Sequence, residues 1–127
     1  MKTHPCILLY LLFSFLFFSS FDNNVEMISW GVASSYSNSL SGKKTASGEK
    51  YNHNKLTAAH RTLPFGTKIK VSRIDNGKAV VVKVNDRGPY IKGRIVDLSK
   101  AAADKIGLTG VGKMQVKIEV IDDSTDV

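Results

Sequence analysis

Residues 67–84 read TKIKVSRIDNGKAVVVKV, and this stretch decides the fold class. Apolar and polar side chains alternate through Ile69 and Val71, and they alternate again in the valine run that ends at Val84. A period of two is typical of a β-strand with one buried face. Between the two runs, Asn76-Gly77 tolerates the positive φ angles of a tight turn. The stretch therefore predicts a β-hairpin with a two-residue turn.

Three further segments carry a secondary-structure signal. Residues 114–120 alternate in the same way and predict a second clear strand, and residues 30–36 predict a weaker one. Ser99 can cap a short helix over residues 100–106, which Gly107 ends. Many short strands with one or two short helices favour a compact, all-β barrel.

The N-terminus has the order of a secretory signal. Lys2 precedes an apolar run over residues 7–18, about a dozen residues. This is short for a bilayer span, which needs about 20. Phe17 and Phe18 occupy positions where a cleavage site favours small side chains, so cleavage and retention both stay open. We expect residues 1–21 to be a signal peptide or a short N-terminal anchor and the protein to be exported to the periplasm or cell envelope.

The rest of the chain shows one domain. No repeat and no Pro- or Ser-rich linker divides it, so we expect a spacer over 22–28, a domain over 29–121 and a polar tail over 122–127. Cys6 is the only cysteine and precedes the apolar run. It is therefore not placed as a lipid anchor, and no internal disulfide is expected.

The charge of the 127-residue chain is strongly basic, with 18 Lys+Arg against 11 Asp+Glu. This balance favours anionic surroundings, such as nucleic acid, acidic lipid or an acidic wall polymer, although a merely soluble basic surface stays open. Export argues against nucleic acid, and the aromatic residues are not interleaved with a basic stripe. His53 and His60 fit no metal-ligand spacing. We therefore expect no nucleic-acid partner, no metal and no cofactor.

Two polar regions interrupt the strand pattern. The first covers residues 45–49 and 56–61, and the second covers residues 85–90 and 94–99. Asp86 follows the valine-rich strand directly and precedes a Gly-Pro turn. A rigid element thus holds its backbone while its side chain can face a cleft.

Each candidate residue in these regions also has a structural explanation. Asp86 could accept hydrogen bonds from loop amides. His60 could be a half-buried, satisfied histidine, and Glu49 could be solvated. Asp97 could cap the following helix or pair with the arginine at position 94, and Arg87 could pair locally.

Five motifs occur in order along the chain: GVASSY (31–36), TASGE (45–49), LTAAHRTLPFGT (56–67), VNDRGPY (84–90) and RIVDLS (94–99). In this order they resemble the motifs of the rare lipoprotein A (RlpA-like) family. The resemblance covers about 90 residues, and it implies a six-stranded double-psi β-barrel related to expansins. It also implies an endolytic lytic transglycosylase that acts on peptidoglycan glycan strands poor in stem peptides.

The same resemblance implies the site residues. Asp97, in its Asp-Leu-Ser context, is similar to an essential aspartate of the expansin-type barrels. We expect the catalytic residues to be Asp86, Glu49 and His60, and substrate contacts to come from Tyr36, Arg87, Tyr90 and Asp97.

The implied reaction cleaves the β-1,4 linkage between N-acetylmuramic acid and N-acetylglucosamine and leaves 1,6-anhydro ends. The nucleophile is the sugar's own 6-hydroxyl, so one carboxyl can act first as acid and then as base. We hypothesise that Asp86 has this role, that Glu49 raises its proton affinity or stabilises positive charge, and that His60 orients one of them. Tyr36 and Tyr90 would stack on sugar faces.

The sequence also departs from the family pattern. No cysteine for lipidation follows the apolar run, no peptidoglycan-binding repeat follows the domain, and Asn52-His53 replaces an Asp-Met pair found in many members. The first two departures bear on lipid anchoring and recruitment to the septum, and the third lies at the edge of the site. The alternative is a non-catalytic, expansin-like module that binds or loosens wall polysaccharide, because expansin-like barrels loosen polysaccharide without cleaving it. We expect a monomer whose partner is the glycan strand, tethered to a membrane only if the leader is uncleaved.

Overall fold

The computed structural model describes residues 27–121, which form a closed barrel of six strands with one short helix. The predicted all-β class and six-stranded barrel are thereby confirmed. The expected leader over 1–21, residues 22–26 of the spacer, Cys6 and the tail over 122–127 lie outside the described residues. The elements are β1 (Ile28–Ser35), a 3-10 turn (Asn38–Leu40), β2 (Thr57–Ala59), β3 (Lys68–Arg73), β4 (Ala79–Asp86), β5 (Arg94–Leu98), α1 (Lys100–Lys105) and β6 (Lys113–Ile121).

The strands follow the order β1-β5-β2-β4-β3-β6 around the barrel, and β6 closes onto β1. Strand β1 runs parallel to β5, and β2 runs parallel to β4. The other four pairings are antiparallel. The short strand β2 therefore lies between β4 and β5, whose polar ends the sequence had marked as candidate site regions.

Alternation decides which side chains fill the barrel. The inward positions of β3, β4 and β6 are aliphatic and almost fully buried, as the sequence period predicts. Each such side chain contributes about 1.5–3 kcal/mol when fully buried. Helix α1 packs on the sheet through Ala102 and Ala103, next to Ile106. The core residues of the three strands are Ile69, Val71, Val80, Val82, Val84, Val116 and Ile118.

The hairpin between β3 and β4 has a longer loop than predicted. Ser72 pairs with Ala79, and the Arg73 amide donates to the Lys78 carbonyl at 2.8 Å, which leaves the four residues 74–77 in the loop. The predicted two-residue turn is therefore wrong. A shift of register by two residues leaves every side chain on the same face, so alternation could not distinguish the two loops. Gly77 does adopt a positive φ, 73°.

Ser99 organises the start of the helix. Its hydroxyl accepts a hydrogen bond from the Ala102 amide at 3.3 Å and donates to the Lys55 carbonyl at 2.6 Å. Ser99 is the N-cap, as predicted. Its hydrogen bond to Lys55 also holds the segment before β2 against the start of the helix. The alternative that Asp97 caps the helix is wrong, because the serine two residues later fills that position. The helix ends at Lys105, one residue earlier than predicted, and the strand predicted over 30–36 begins at Ile28 inside the expected spacer.

No helix within residues 27–121 has the length and apolarity needed to cross a bilayer. The same residues contain no group of three metal-ligating His, Cys, Asp or Glu side chains.

The substitution Ser99→Ala tests the double role of this serine. The variant loses a helix cap and leaves the Lys55 carbonyl without its donor, so we expect the free energy of unfolding to fall by about 1–2 kcal/mol. Urea denaturation followed by far-UV circular dichroism measures the change. Ser35→Ala, at an exposed serine, is the matched control and should change stability by less than about 0.5 kcal/mol. Equal effects in the two variants would contradict the role given to Ser99.

Candidate active site

Four residues on four neighbouring strands form a row across the barrel wall. Ser34 on β1 pairs with Asp97 on β5, and Asp97 pairs with Ala59 on β2. Ala59 also pairs with Asp86 on β4. Directly paired residues project from the same face of a sheet, so the two aspartates flank Ala59 on one face. At the usual strand spacing their Cα atoms lie about 10 Å apart. We call these four residues the aspartate row.

The aspartate row lies on the outer side of the barrel. Ala58, Val96 and Leu98, which alternate with its members, belong to the core. On β4 an irregular register produces this arrangement: Ala58 pairs with Val84, but Ala59 pairs with Asp86. The extra residue at position 85 is a bulge, and a bulge re-aims the side chain that follows it. Without the bulge, the side chain of Asp86 would point into the core, as those of the alternate valines before it do.

Three donors hold the Asp86 carboxylate. The Tyr36 hydroxyl donates to Oδ2 at 2.6 Å. The amides of Ala46 and Arg87 both donate to Oδ1 at 2.9 Å. The hydrogen bond from Ala46 holds the segment 45–49 against the end of β4. The Ser47 amide, which donates to the backbone carbonyl of residue 85 at 3.2 Å, holds the same segment there. Asp86 thus accepts hydrogen bonds from loop amides, and these contacts lie inside the candidate site.

The charges of both aspartates act on the phenol of Tyr36. Its pKa is raised well above the ordinary value by burial, by the hydrogen bond to Asp86, and by the negative charges of Asp86 and Asp97. The phenol therefore keeps its proton and stays a donor to Asp86 at physiological pH. Its ring meets the ring of Tyr51 edge-on at 4.7 Å between centroids, which fixes its direction.

Asp97 is the carboxyl whose environment favours the protonated form. Burial raises its pKa above the ordinary value, and the charge of Asp86 acts in the same direction. The hydroxyl of Ser34, which donates to Asp97 Oδ1, and the charge of Arg94 oppose this shift without cancelling it. An acid with a raised pKa keeps a proton that it can donate at a higher pH than an exposed aspartate can.

His60 lies beside Asp86 and is held by its own loop. Its backbone amide donates to the Asp86 carbonyl at 3.1 Å. Its ring Nδ1 accepts from the amides of Thr62 and Leu63, at 3.2 and 3.1 Å. Burial lowers the pKa of His60, helped by the charges of Arg61 and Arg87. The ring is therefore neutral near pH 7, with its proton on Nε2. In the described part of the chain, the ring makes no hydrogen bond to Asp86 or Glu49.

Arg87 holds the loop that follows His60. Its guanidinium donates to the carbonyls of His60 at 3.2 Å and Leu63 at 2.8 Å. It also lies over the ring of Phe65, 4.0 Å from the centroid. These contacts agree with the local role that the sequence left open. Tyr90, in contrast, is 76% exposed after the Gly88-Pro89 pair, so its ring is accessible to a ligand.

Glu49 is exposed beside a polar cavity of about 560 Å³. Its carboxylate pairs with the Lys83 ammonium at 3.3 Å, and Asn52 and Lys55 line the same cavity. Glu49 makes no hydrogen bond to Asp86, within residues 27–121. Sequence reasoning missed Ser34, Ala59 and the bulge at Asn85, although Ser34 and Ala59 both lie within the motifs that carry the family resemblance.

The chain is similar to known proteins of one family. The family profile described as lytic transglycolase matches residues 28–118. The chain is 48% identical over 97 residues to a probable endolytic peptidoglycan transglycosylase RlpA of Synechocystis. The aligned region covers 76% of this chain and 30% of that protein. It is 52% identical over 91 residues to the endolytic peptidoglycan transglycosylase RlpA of Pasteurella multocida. This aligned region covers 72% of this chain and 31% of that protein. The chain thus spans about a third of the length of these relatives.

Solved structures support the fold. The Streptomyces papain inhibitor superposes with a TM-score of 0.63 at 22% identity, over 80% of this chain and all of that one. An expansin of Clavibacter michiganensis superposes with a TM-score of 0.62 at 21% identity, over 76% of this chain and 52% of that one. At such identities the likeness extends to the fold alone. The profile match and the relatives at about 50% identity establish that the chain belongs to the lytic transglycolase family of double-psi β-barrels.

Proposed function

We propose that this protein is an endolytic peptidoglycan lytic transglycosylase. It would cleave the β-1,4 linkage between N-acetylmuramic acid and N-acetylglucosamine in strands poor in stem peptides and leave 1,6-anhydro ends. The observation that carries the proposal is the aspartate row, in which two carboxyls with different environments flank one small residue. Relatives named RlpA transglycosylases support the reaction class. Because the substrate lies in the cell envelope, the proposal includes export.

The first chemical step needs a proton on the bridging oxygen. We assign this step to Asp97, because burial raises its pKa and keeps its carboxyl protonated at a higher pH than an exposed aspartate. The same carboxyl, once ionised, can take the proton from the 6-hydroxyl as the anhydro ring closes, since the nucleophile belongs to the substrate. This assignment differs from the hypothesis that sequence alone suggests, in which Asp86 is the acid and base.

Asp86 then supplies negative charge at a fixed place. Three hydrogen bonds hold its two oxygens, so the carboxylate does not need to reorganise when positive charge develops on the sugar ring. Tyr36 acts as a positioning residue for Asp86, and its engaged hydroxyl makes this role a better fit than stacking on a sugar. Tyr90, four residues after Asp86, is an exposed aromatic side chain suited to stacking.

His60 and Glu49 would contact the substrate directly. The neutral ring of His60 presents an N–H on Nε2, a suitable donor to a sugar hydroxyl or acetamido group. Glu49 borders the polar cavity with Lys55, where it would bind the neighbouring sugar.

The substitutions Asp97→Asn and Asp86→Asn test the two carboxyl roles. We expect each to lower the rate of anhydro-end formation by about 10²–10⁴-fold, a typical loss for an acid–base group. The assay incubates each variant with glycan strands freed of stem peptides and counts 1,6-anhydro ends by mass spectrometry. Asp75→Asn, in the hairpin loop, is the control and should retain the full rate. A folded Asp97→Asn variant with normal turnover would exclude Asp97 as the acid.

The pH profile distinguishes Asp97 from Asp86 as the acid. The rate should fall as the pH rises through the raised pKa of Asp97, since only the protonated carboxyl can donate. Ser34→Ala removes a hydrogen bond that lowers this pKa, so the alkaline fall should move to higher pH. Ser35→Ala controls for the loss of a neighbouring hydroxyl. An alkaline limb that stays in place or moves to lower pH in Ser34→Ala would contradict the assignment.

A pair of substitutions at His60 separates its loop contacts from its contact with substrate. In His60→Asn the amide oxygen can accept from Thr62 and Leu63 as Nδ1 does, but nothing replaces the N–H on Nε2. We expect normal stability and a rate about 100-fold lower. His60→Gln, whose amide reaches the Nε2 position, should recover part of the rate. If His60→Asn turned over normally, the imidazole would have a structural role only.

The non-catalytic alternative has one supporting observation, the fold it shares with an expansin. Sedimentation of the protein with the same glycan strands tests it. Binding without new anhydro ends, in protein whose circular dichroism is that of a folded β-barrel, would favour a binding module over the enzyme.

A further inference from the structure

A second surface of the barrel combines lysines with exposed apolar side chains. It is centred on strands β6 and β3, which contribute nothing to the aspartate row, and it takes further members from β1 and β4. Core residues such as Ile69, Val71 and Ile118 alternate with its members, so the members point outward. We call this surface the lysine face, and it consists of Ile28, Trp30, Lys68, Lys70, Lys83 and Lys117.

The strand register makes the lysine face continuous. Trp30 on β1 pairs with Lys117 on β6. Lys70 on β3 lies beside Glu119 on β6, which in turn lies beside Ile28 on β1. Lys68 pairs with Lys83 on β4. The apolar members are well exposed, Trp30 by 63% and Ile28 by 42%.

The charge of the described region is higher than that of the whole chain. Residues 27–121 contain 17 Lys+Arg and 6 Asp+Glu, a formal charge of +11. The other five acidic residues lie in the flanking segments, three of them within the six residues after Ile121. Lys83 pairs with Glu49 at 3.3 Å and Lys117 pairs with Glu119 at 3.7 Å. Exposed pairs of this kind are weak and screened by salt, so an anionic surface can compete for both lysines.

We propose that the lysine face docks on a bilayer that contains anionic lipid. Lysines held near such a surface are attracted to its headgroups, while tryptophan and aliphatic side chains enter the interfacial layer. The position of the N-terminal apolar run also agrees, because it ends at Phe18, ten residues before Ile28. Ten extended residues span about 35 Å at most, so a bilayer that holds this run is within reach of the face.

Trp30 provides the readout, because it is the only tryptophan in the chain. The full-length protein is mixed with vesicles of phosphatidylcholine alone or with increasing phosphatidylglycerol. Residues 7–18 carry no charged side chain, so any contact they make with lipid does not depend on phosphatidylglycerol, whereas Trp30 belongs to the lysine face. We expect its emission to shift to the blue and to be quenched by brominated acyl chains as the anionic fraction rises. We expect high salt to reverse both effects.

A matched pair of double variants tests the contribution of charge on this face. Lys70→Gln with Lys117→Gln should weaken the association of Trp30 with anionic vesicles about 30-fold. Lys92→Gln with Lys105→Gln removes the same charge elsewhere and should have a much smaller effect. Circular dichroism confirms the fold of each variant. A Trp30 signal indifferent to phosphatidylglycerol, or equal losses in the two variants, would overturn the proposal. A response to an anionic wall polymer in place of vesicles would also overturn it.

Discussion

The pairing of β2 with both β4 and β5 is the constraint on which the candidate site depends. This strand has only three residues, Thr57–Ala59, and all three are buried. Ala59 pairs with an aspartate on each side, so the two carboxyls are held at a separation that the strand spacing sets. The alanine side chain is small and almost fully buried, so it places no polar group between the carboxyls. The backbone hydrogen bonds of the sheet therefore determine the geometry of the acidic groups.

The bulge on β4 completes the arrangement. Strand β4 fills the core with valines at alternate positions and then has to present an aspartate on the opposite face. One extra residue at position 85 makes this change within the same strand. Asp86 then accepts hydrogen bonds from Tyr36 and from the backbone of Ala46, which lies 40 residues away in the chain. The rigid core and the polar site are thus two faces of one element, and the stability of the first keeps the second in position.

Much of this could be predicted from the sequence, and the failures have physical reasons. Alternation in β3, β4 and β6 predicts strands because each has one buried face. The hairpin loop was predicted two residues too short, since a register shift of two preserves that alternation. Strands β2 and β5 carry no such signal, because they are short and lie in polar motifs. The row that joins Ser34, Asp97 and Ala59 depends on strand order, which no local pattern encodes.

The contact between Ser34 and Asp97 joins residues that are 63 positions apart. Half of the chain separates the strand that contributes the hydroxyl from the strand that contributes the carboxyl. During synthesis, the chain therefore has no complete row until β5 has emerged and found its place between β1 and β2. A nascent or proteolysed fragment that lacks β5 cannot carry both carboxyls, so the row is complete only after β5 has joined the sheet.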